Sequence, residues 1–131
     1  MIYVDSSAIV KLILVEREPS PLRKYVAGES LASSAILRTE LARAVARREP
    51  ARSVAAMRLL GTVMLLAADE AVLESAARLG PPSLRILDAI HLASALELRE
   101  ELECFVAYDE RLLDAASALG LPVASPGLER E

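Results

Sequence analysis

Four of the chain's nineteen acidic residues stand in settings that ordinary surface carboxylates do not occupy: Asp5, Glu40, Asp88 and Asp109. Asp5 closes the apolar run at residues 1–4, and Asp109 follows a second apolar run at residues 103–107. Each then precedes a helix-forming stretch, so each can serve as an N-cap by accepting a backbone N–H from the first helical turn. The hydroxyls of Ser6 and Ser7 could take that role in place of Asp5 and leave its carboxylate for other work. Glu40 borders an apolar helical stripe formed by Ile36, Leu37, Leu41 and Val45. Asp88 lies inside the apolar stretch Ile86-Leu87-Asp88-Ala89-Ile90-His91-Leu92-Ala93, where an aspartate in mid-helix has poor propensity. An ionised carboxylate in apolar surroundings protonates, pairs with a cation or binds a metal. Pairing is the plainer option, Glu40 with Arg43 and Asp88 with Arg85. If the four acids converge instead, they repel one another and a divalent cation offsets that repulsion. A set of oxygen donors without a His or Cys cluster favours Mg²⁺ or Mn²⁺ over zinc. His91, one helical turn after Asp88, is either a proton carrier or a structural core histidine.

The elements that must position these acids read as alternating short strands and longer helices. Strands are expected at residues 1–4, 30–33, 65–68, 103–107 and 122–124. Helices are expected at 8–15 and 21–27, from a cap at Ser33 or Ser34 to about 48, then at 50–64, from Asp69 to a left-handed Gly80, at 84–99, and from Asp109 to Gly120. Strands with little alternation, joined by helices too long for hairpins, imply a parallel sheet covered on both faces: an α/β fold, a three-layer α/β/α sandwich. Ligands of such sheets collect beyond the carboxyl ends of the strands, where Asp5 and Asp109 fall. One domain spans residues 1–124, with a frayed tail at 125–131.

Composition removes other classes. The chain has 131 residues, 53% of them hydrophobic, enough for one sizeable core. A net charge of −4 argues against coating nucleic acid by bulk electrostatics, and 3% aromatic residues against stacking bases on rings. The single cysteine, Cys104, reads as core filling. The longest apolar run, residues 63–68, is far short of a membrane span, and Asp5 and Lys11 interrupt any signal-peptide pattern, so the cytoplasm is expected. Residues 38–58 carry Arg38, Arg43, Arg47, Arg48, Arg52 and Arg58 against Glu40 and Glu49 alone. That basic stretch fits a phosphate track, a solvated helix face, or a docking surface for an acidic partner.

Taken together, Ile2-Tyr3-Val4-Asp5-Ser6-Ser7-Ala8, Leu87-Asp88-Ala89-Ile90-His91-Leu92-Ala93-Ser94-Ala95 and Tyr108-Asp109-Glu110-Arg111-Leu112 resemble a PIN-domain ribonuclease, specifically a VapC-type toxin of a bacterial toxin–antitoxin pair. The resemblance covers essentially the whole chain, and Asp5, Glu40, Asp88 and Asp109 fill the family's four acidic positions. Ser6 stands where similar toxins often carry Thr, and Ala107-Tyr108 stands where they place a Thr or Ser shortly before the last Asp.

The resemblance implies metal-dependent endonucleolytic hydrolysis of RNA. Asp5 and Asp88 would be direct ligands, with Glu40 and Asp109 binding a second cation or orienting the attacking water, and Ser6 and Ser7 in support. Arg38, Arg43, Arg47 and Arg48 would touch RNA. It also implies a cognate antitoxin lying over the active-site groove, and a homodimer using the apolar helix faces around residues 54–66. Other classes fit less well. A receiver domain needs an adjacent acidic pair near the first strand and a Lys after a late strand. A haloacid-dehalogenase-type phosphatase needs an Asp where Ser7 stands, and a nucleotide-cofactor domain needs a Gly-rich loop after the first strand. A PIN-like scaffold that binds protein without chemistry remains the alternative to the nuclease.

Overall fold

The computed structural model describes residues 1–15 and 20–128. Its elements in chain order are β1 (Ile2–Val4), α1 (Ser6–Val10), α2 (Pro21–Val26), β2 (Leu31–Ser34), α3 (Leu37–Arg48), α4 (Ser53–Leu60), β3 (Val63–Leu66), α5 (Glu70–Arg78), α6 (Ile86–Glu97), β4 (Cys104–Val106), α7 (Glu110–Ala118) and β5 (Val123–Ala124). Helix α1 continues into a wider π-type turn at Lys11–Val15. The strands form one parallel sheet in the order β3-β2-β1-β4-β5, with Ile2 opposite both Leu31 and Cys104.

Both faces of the sheet are covered, which is why its strands are apolar at successive positions. Ile2, Val4, Leu31, Val63, Cys104 and Val106 pack with Ile9, Leu12, Leu22, Leu37, Leu41, Val45 and Ala56 from α1 to α4. Tyr3, Ala32 and Phe105 point the other way, against Leu92 and Ala95 of α6 and Leu112, Leu113 and Ala116 of α7. Helix α5 lies along α6 through Val72, Ala76, Ala89, Ile90 and Ala93. The expected three-layer α/β/α sandwich is the observed fold. Among the described residues no helix is long and apolar enough to cross a membrane.

Several boundaries differ from expectation. The helix expected over residues 50–64 stops at Leu60, where Gly61 and Thr62 turn the chain and the Thr62 hydroxyl donates to the Leu59 carbonyl, so β3 begins at Val63. Helix α6 begins at Ile86 rather than at residue 84, because Pro81 and Pro82 and a turn after them precede it. Gly80 is not left-handed; Gly28 after α2 and Gly120 after α7 have positive φ, at 76° and 85°. Ser34 receives the Ile36 N–H without being the cap of α3, and Ser33 faces the core. Within the expected tail, Ser125 is buried and its hydroxyl donates to the Ala107 carbonyl, while the Pro126 carbonyl accepts from Tyr108. Residues 129–131 lie outside the described residues.

Candidate active site

Each of the four carboxylates stands at the start of a helix. Asp5 is the N-cap of α1 and Asp109 that of α7, while Glu40 and Asp88 lie in the first turns of α3 and α6. Asp88 is therefore not in mid-helix, and the reason is the late start of α6. A helix N-terminus carries partial positive charge, so each acid sits where the backbone stabilises its ionised form. A parallel sheet brings the starts of α1, α3 and α7 to one edge, since the strand before each runs toward it; α6 follows α5, and its Asp88 feels the charges of Asp109 and Glu40.

Asp5 is 2% exposed. Its Oδ1 accepts from the Ala8 N–H at 3.0 Å and from the Ser7 hydroxyl at 2.6 Å, and Ser7 Oγ in turn accepts the Tyr108 N–H at 3.1 Å. Capping and carboxylate contact are thus both real, divided between Asp5 and Ser7. Asp109 uses Oδ1 in the same way, accepting from the N–H groups of Arg111 and Leu112. Among the described residues neither Oδ2 takes a hydrogen bond, which leaves one oxygen of each carboxylate for a ligand.

Glu40 does not pair with Arg43. Its Oε1 lies 2.7 Å from His91 Nε2, and His91 Nδ1 lies 2.8 Å from the Tyr3 hydroxyl. His91 is fully buried. Asp88 makes no ion pair within bonding distance among the described residues, though the Arg85 charge acts on it.

The acids feel one another. Burial pushes the Asp5 carboxyl up to about 6, against lowering by the Ser7 hydroxyl, the His91 charge and the Ala8 N–H, with Asp88 pushing further up. Burial, then the Asp109 and Glu40 charges, raise Asp88, against Arg85 and His91. The donor set fits a hard divalent cation: oxygen ligands only, mutually repelling, with one buried carboxylate whose ionised form is disfavoured by burial and would be stabilised by an arriving positive charge. Among the described residues no three of the side chains come together as a metal-holding group, though Asp88 is near enough to feel Asp109 and Glu40, and Asp5 to feel Asp88.

The sequence profile of the family described as "PIN domain" matches residues 2–118. The chain belongs to the PIN-domain family. Within it, the chain falls in the VapC branch. Ribonuclease VapC47 of Mycobacterium tuberculosis is 43% identical, covering 99% of this chain and 100% of the relative, and Ribonuclease VapC46 is 44% identical over 95% and 97%. The crystal structure of M. tuberculosis VapC20, described as a sarcin-ricin-loop-cleaving toxin, shares the fold at a TM-score of 0.68 and 21% identity, covering 96% of this chain and 100% of that one. FitAcB from Neisseria gonorrhoeae does so at 0.65 and 20%, covering 96% and 98%.

Two features of this PIN domain were not visible as site features in the sequence. Tyr3 sits on the opposite face of β1 from Ile2 and Val4; the available signal was a polar-tipped ring in a buried strand, whose hydroxyl needs a partner. The basic stretch is divided by the fold. Arg43 and Arg47 line a cleft of about 460 Å³ with Glu40, Ile36, Thr39, Ala44 and Leu87. Arg52 and Arg58 line a separate cleft with Arg23 beside Leu31, at the opening residue of β2, and Arg38 borders a smaller cavity between α3 and α4.

Proposed function

We propose that this PIN domain is a divalent-metal-dependent endoribonuclease, the toxin of a VapC-type toxin–antitoxin pair, with Asp5, Glu40, Asp88 and Asp109 as its catalytic and metal-holding residues. The observation that carries the reading is the gathering of these acids at the helix starts along one sheet edge, two of them raised by burial and by their neighbours. Near full-length similarity to proteins named ribonucleases supports RNA as the substrate.

Mg²⁺ or Mn²⁺ held there supplies Lewis acidity, drawing charge from the phosphate and lowering the pKa of water for attack on phosphorus. The chain does the rest. Asp5 and Asp88 would be the direct ligands, and Ser7 and the Ala8 N–H hold Asp5 through Oδ1, which leaves Oδ2 for an ion. Glu40 and Asp109 hold a second ion or orient the attacking water, each anchored through one oxygen. Ser6, in the first turn of α1, supports the same edge. Arg43 and Arg47, sharing a cleft with Glu40, grip flanking phosphates through forked donors, with Arg38 and Arg48 further along α3.

The reading includes one catalytic domain over residues 1–124, action in the cytoplasm, and a cognate antitoxin covering the groove. It includes a homodimer supported by the exposed apolar side chains of Val54, Met57 and Met64. Incubating the purified protein with a mixed RNA pool tests it, with Mg²⁺ or Mn²⁺, with EDTA, and beside Asp5→Asn and Asp88→Asn. Cutting that needs metal and disappears in both variants is expected. Metal-independent cutting, or full activity in either variant, rejects the site; no cutting of any RNA under any metal favours a protein-binding scaffold.

A further inference from the structure

We propose that Tyr3 and His91 form a buried hydrogen-bonded chain that positions Glu40 and sets which of its oxygens is left for a ligand. The proposal rests on the metal-dependent reading of the carboxylates. His91 and Tyr3 are positioning residues in it, acting through Glu40.

The direction of its last bond follows from what each atom can do. A carboxylate only accepts, so the 2.7 Å contact to Glu40 Oε1 requires the hydrogen on His91 Nε2. The other ring nitrogen, Nδ1, lies 2.8 Å from the Tyr3 hydroxyl, so one imidazole joins the tyrosine to the carboxylate. Tyr3 and His91 are both fully buried, and paired polar groups in such a setting rigidify the end of the network they form.

The scaffold around the chain is stiff. The Tyr3 ring stacks on Phe105 with centroids 5.2 Å apart and planes 5° from parallel, and it meets the His91 ring edge-on at 5.8 Å. Strand β1 is the middle strand of the sheet. Glu40 is thus referred, through the imidazole of α6, to the most buried strand of the molecule. Its own backbone, in the first turn of α3, does not give that definition. With Oε1 occupied, Oε2 is the oxygen left for a cation or for water.

The chain has a single histidine, so ¹⁵N imidazole spectra of the metal-free protein report on His91 without overlap. A ring carrying a hydrogen on Nε2 is expected. A ring protonated at Nδ1 alone overturns the proposed contact with Glu40. Tyr3→Phe keeps the stacked ring and removes only the hydroxyl. It is expected to weaken Mn²⁺ binding measured by calorimetry about tenfold, and lower kcat on RNA about tenfold with KM unchanged. Mn²⁺ affinity and kcat equal to those of the unaltered protein overturn the positioning role. Asp5→Asn, measured in parallel, separates this failure from that of the underlying reading. If Asp5→Asn abolishes Mn²⁺ binding and Tyr3→Phe changes nothing, the hydrogen-bonded chain alone is wrong. If Asp5→Asn itself binds and cuts normally, the metal site is wrong and the positioning role falls with it.

Discussion

Asp5 and Asp109 share one local motif, a strand end followed by a helix that each caps through Oδ1. Their surroundings differ. Asp5 is almost fully buried and takes an extra hydrogen bond from Ser7, which is itself tied to the Tyr108 N–H. Asp109 is half-buried and, among the described residues, is met by backbone N–H groups alone. Capping is a property of the local motif, whereas the electrostatic state of the carboxylate is a property of its depth. The buried acid is kept at a cost to stability that a bound cation would offset; on the proposed function it is the centre of the site and Asp109 its rim.

Replacing the buried member tests this contrast most severely. Asp5→Asn should lower RNA cleavage by about a thousandfold, the several kcal/mol that a correctly held metal supplies. The same variant should be the more stable protein without metal at pH 7. Asp5 in the fold holds its proton up to about pH 6, whereas its ordinary pKa is 3.8. The folded state is therefore favoured below the ordinary value and loses stability as pH rises toward the folded one. The loss should reach about 2–3 kcal/mol. Chemical denaturation of both proteins in EDTA from pH 4 to 7 should show the gap widening with pH; a constant gap would remove the argument from burial.

At the rim, Asp109→Asn retains an Oδ1 acceptor and Asp109→Ala does not. Both should lower activity about 10–100-fold. Only the alanine variant should also lose about 1 kcal/mol of stability by denaturant titration. Equal stability would mean that the cap contributes nothing to α7. Ser7→Ala sharpens the contrast from the other direction. Removing a hydrogen bond that lowers the Asp5 pKa should raise it further, weaken Mn²⁺ binding, and cost about 1 kcal/mol. The smallest effect belongs to the periphery. Arg43→Ala should reduce the slope of log affinity for single-stranded RNA against log salt by about 0.7, as expected when one phosphate contact is lost. An unchanged slope would assign the cleft to a protein partner.

Much of this was legible along the chain. The acids at residues 5 and 109 announce themselves by following apolar runs. The alternation of strands and helices identifies a parallel sheet, because long connections and apolar strands leave few other solutions. Boundaries were less legible where turn residues compete with an apolar pattern. Residues 50–64 carry one continuous apolar signal, and only Gly61-Thr62 separates helix from strand within it. The arginines of the 38–58 stretch are close in sequence, yet Arg43 and Arg47, Arg52 and Arg58, and Arg38 face three different clefts, because α3 and α4 present different sides to their surroundings.

The sequence alone determined the residue types, their local caps and the side of each element that must be buried, since these depend on neighbours within a turn or two. Tertiary structure decided which polar atoms meet. Tyr3 and His91 are 88 residues apart, and His91 and Glu40 are 51 apart. No local periodicity specifies that a helix on one face of the sheet will direct an imidazole toward a carboxylate on the other. That meeting is set by how the layers pack over the central strand, where a buried hydroxyl, ring nitrogen or carboxylate is stable only if the fold brings it a partner.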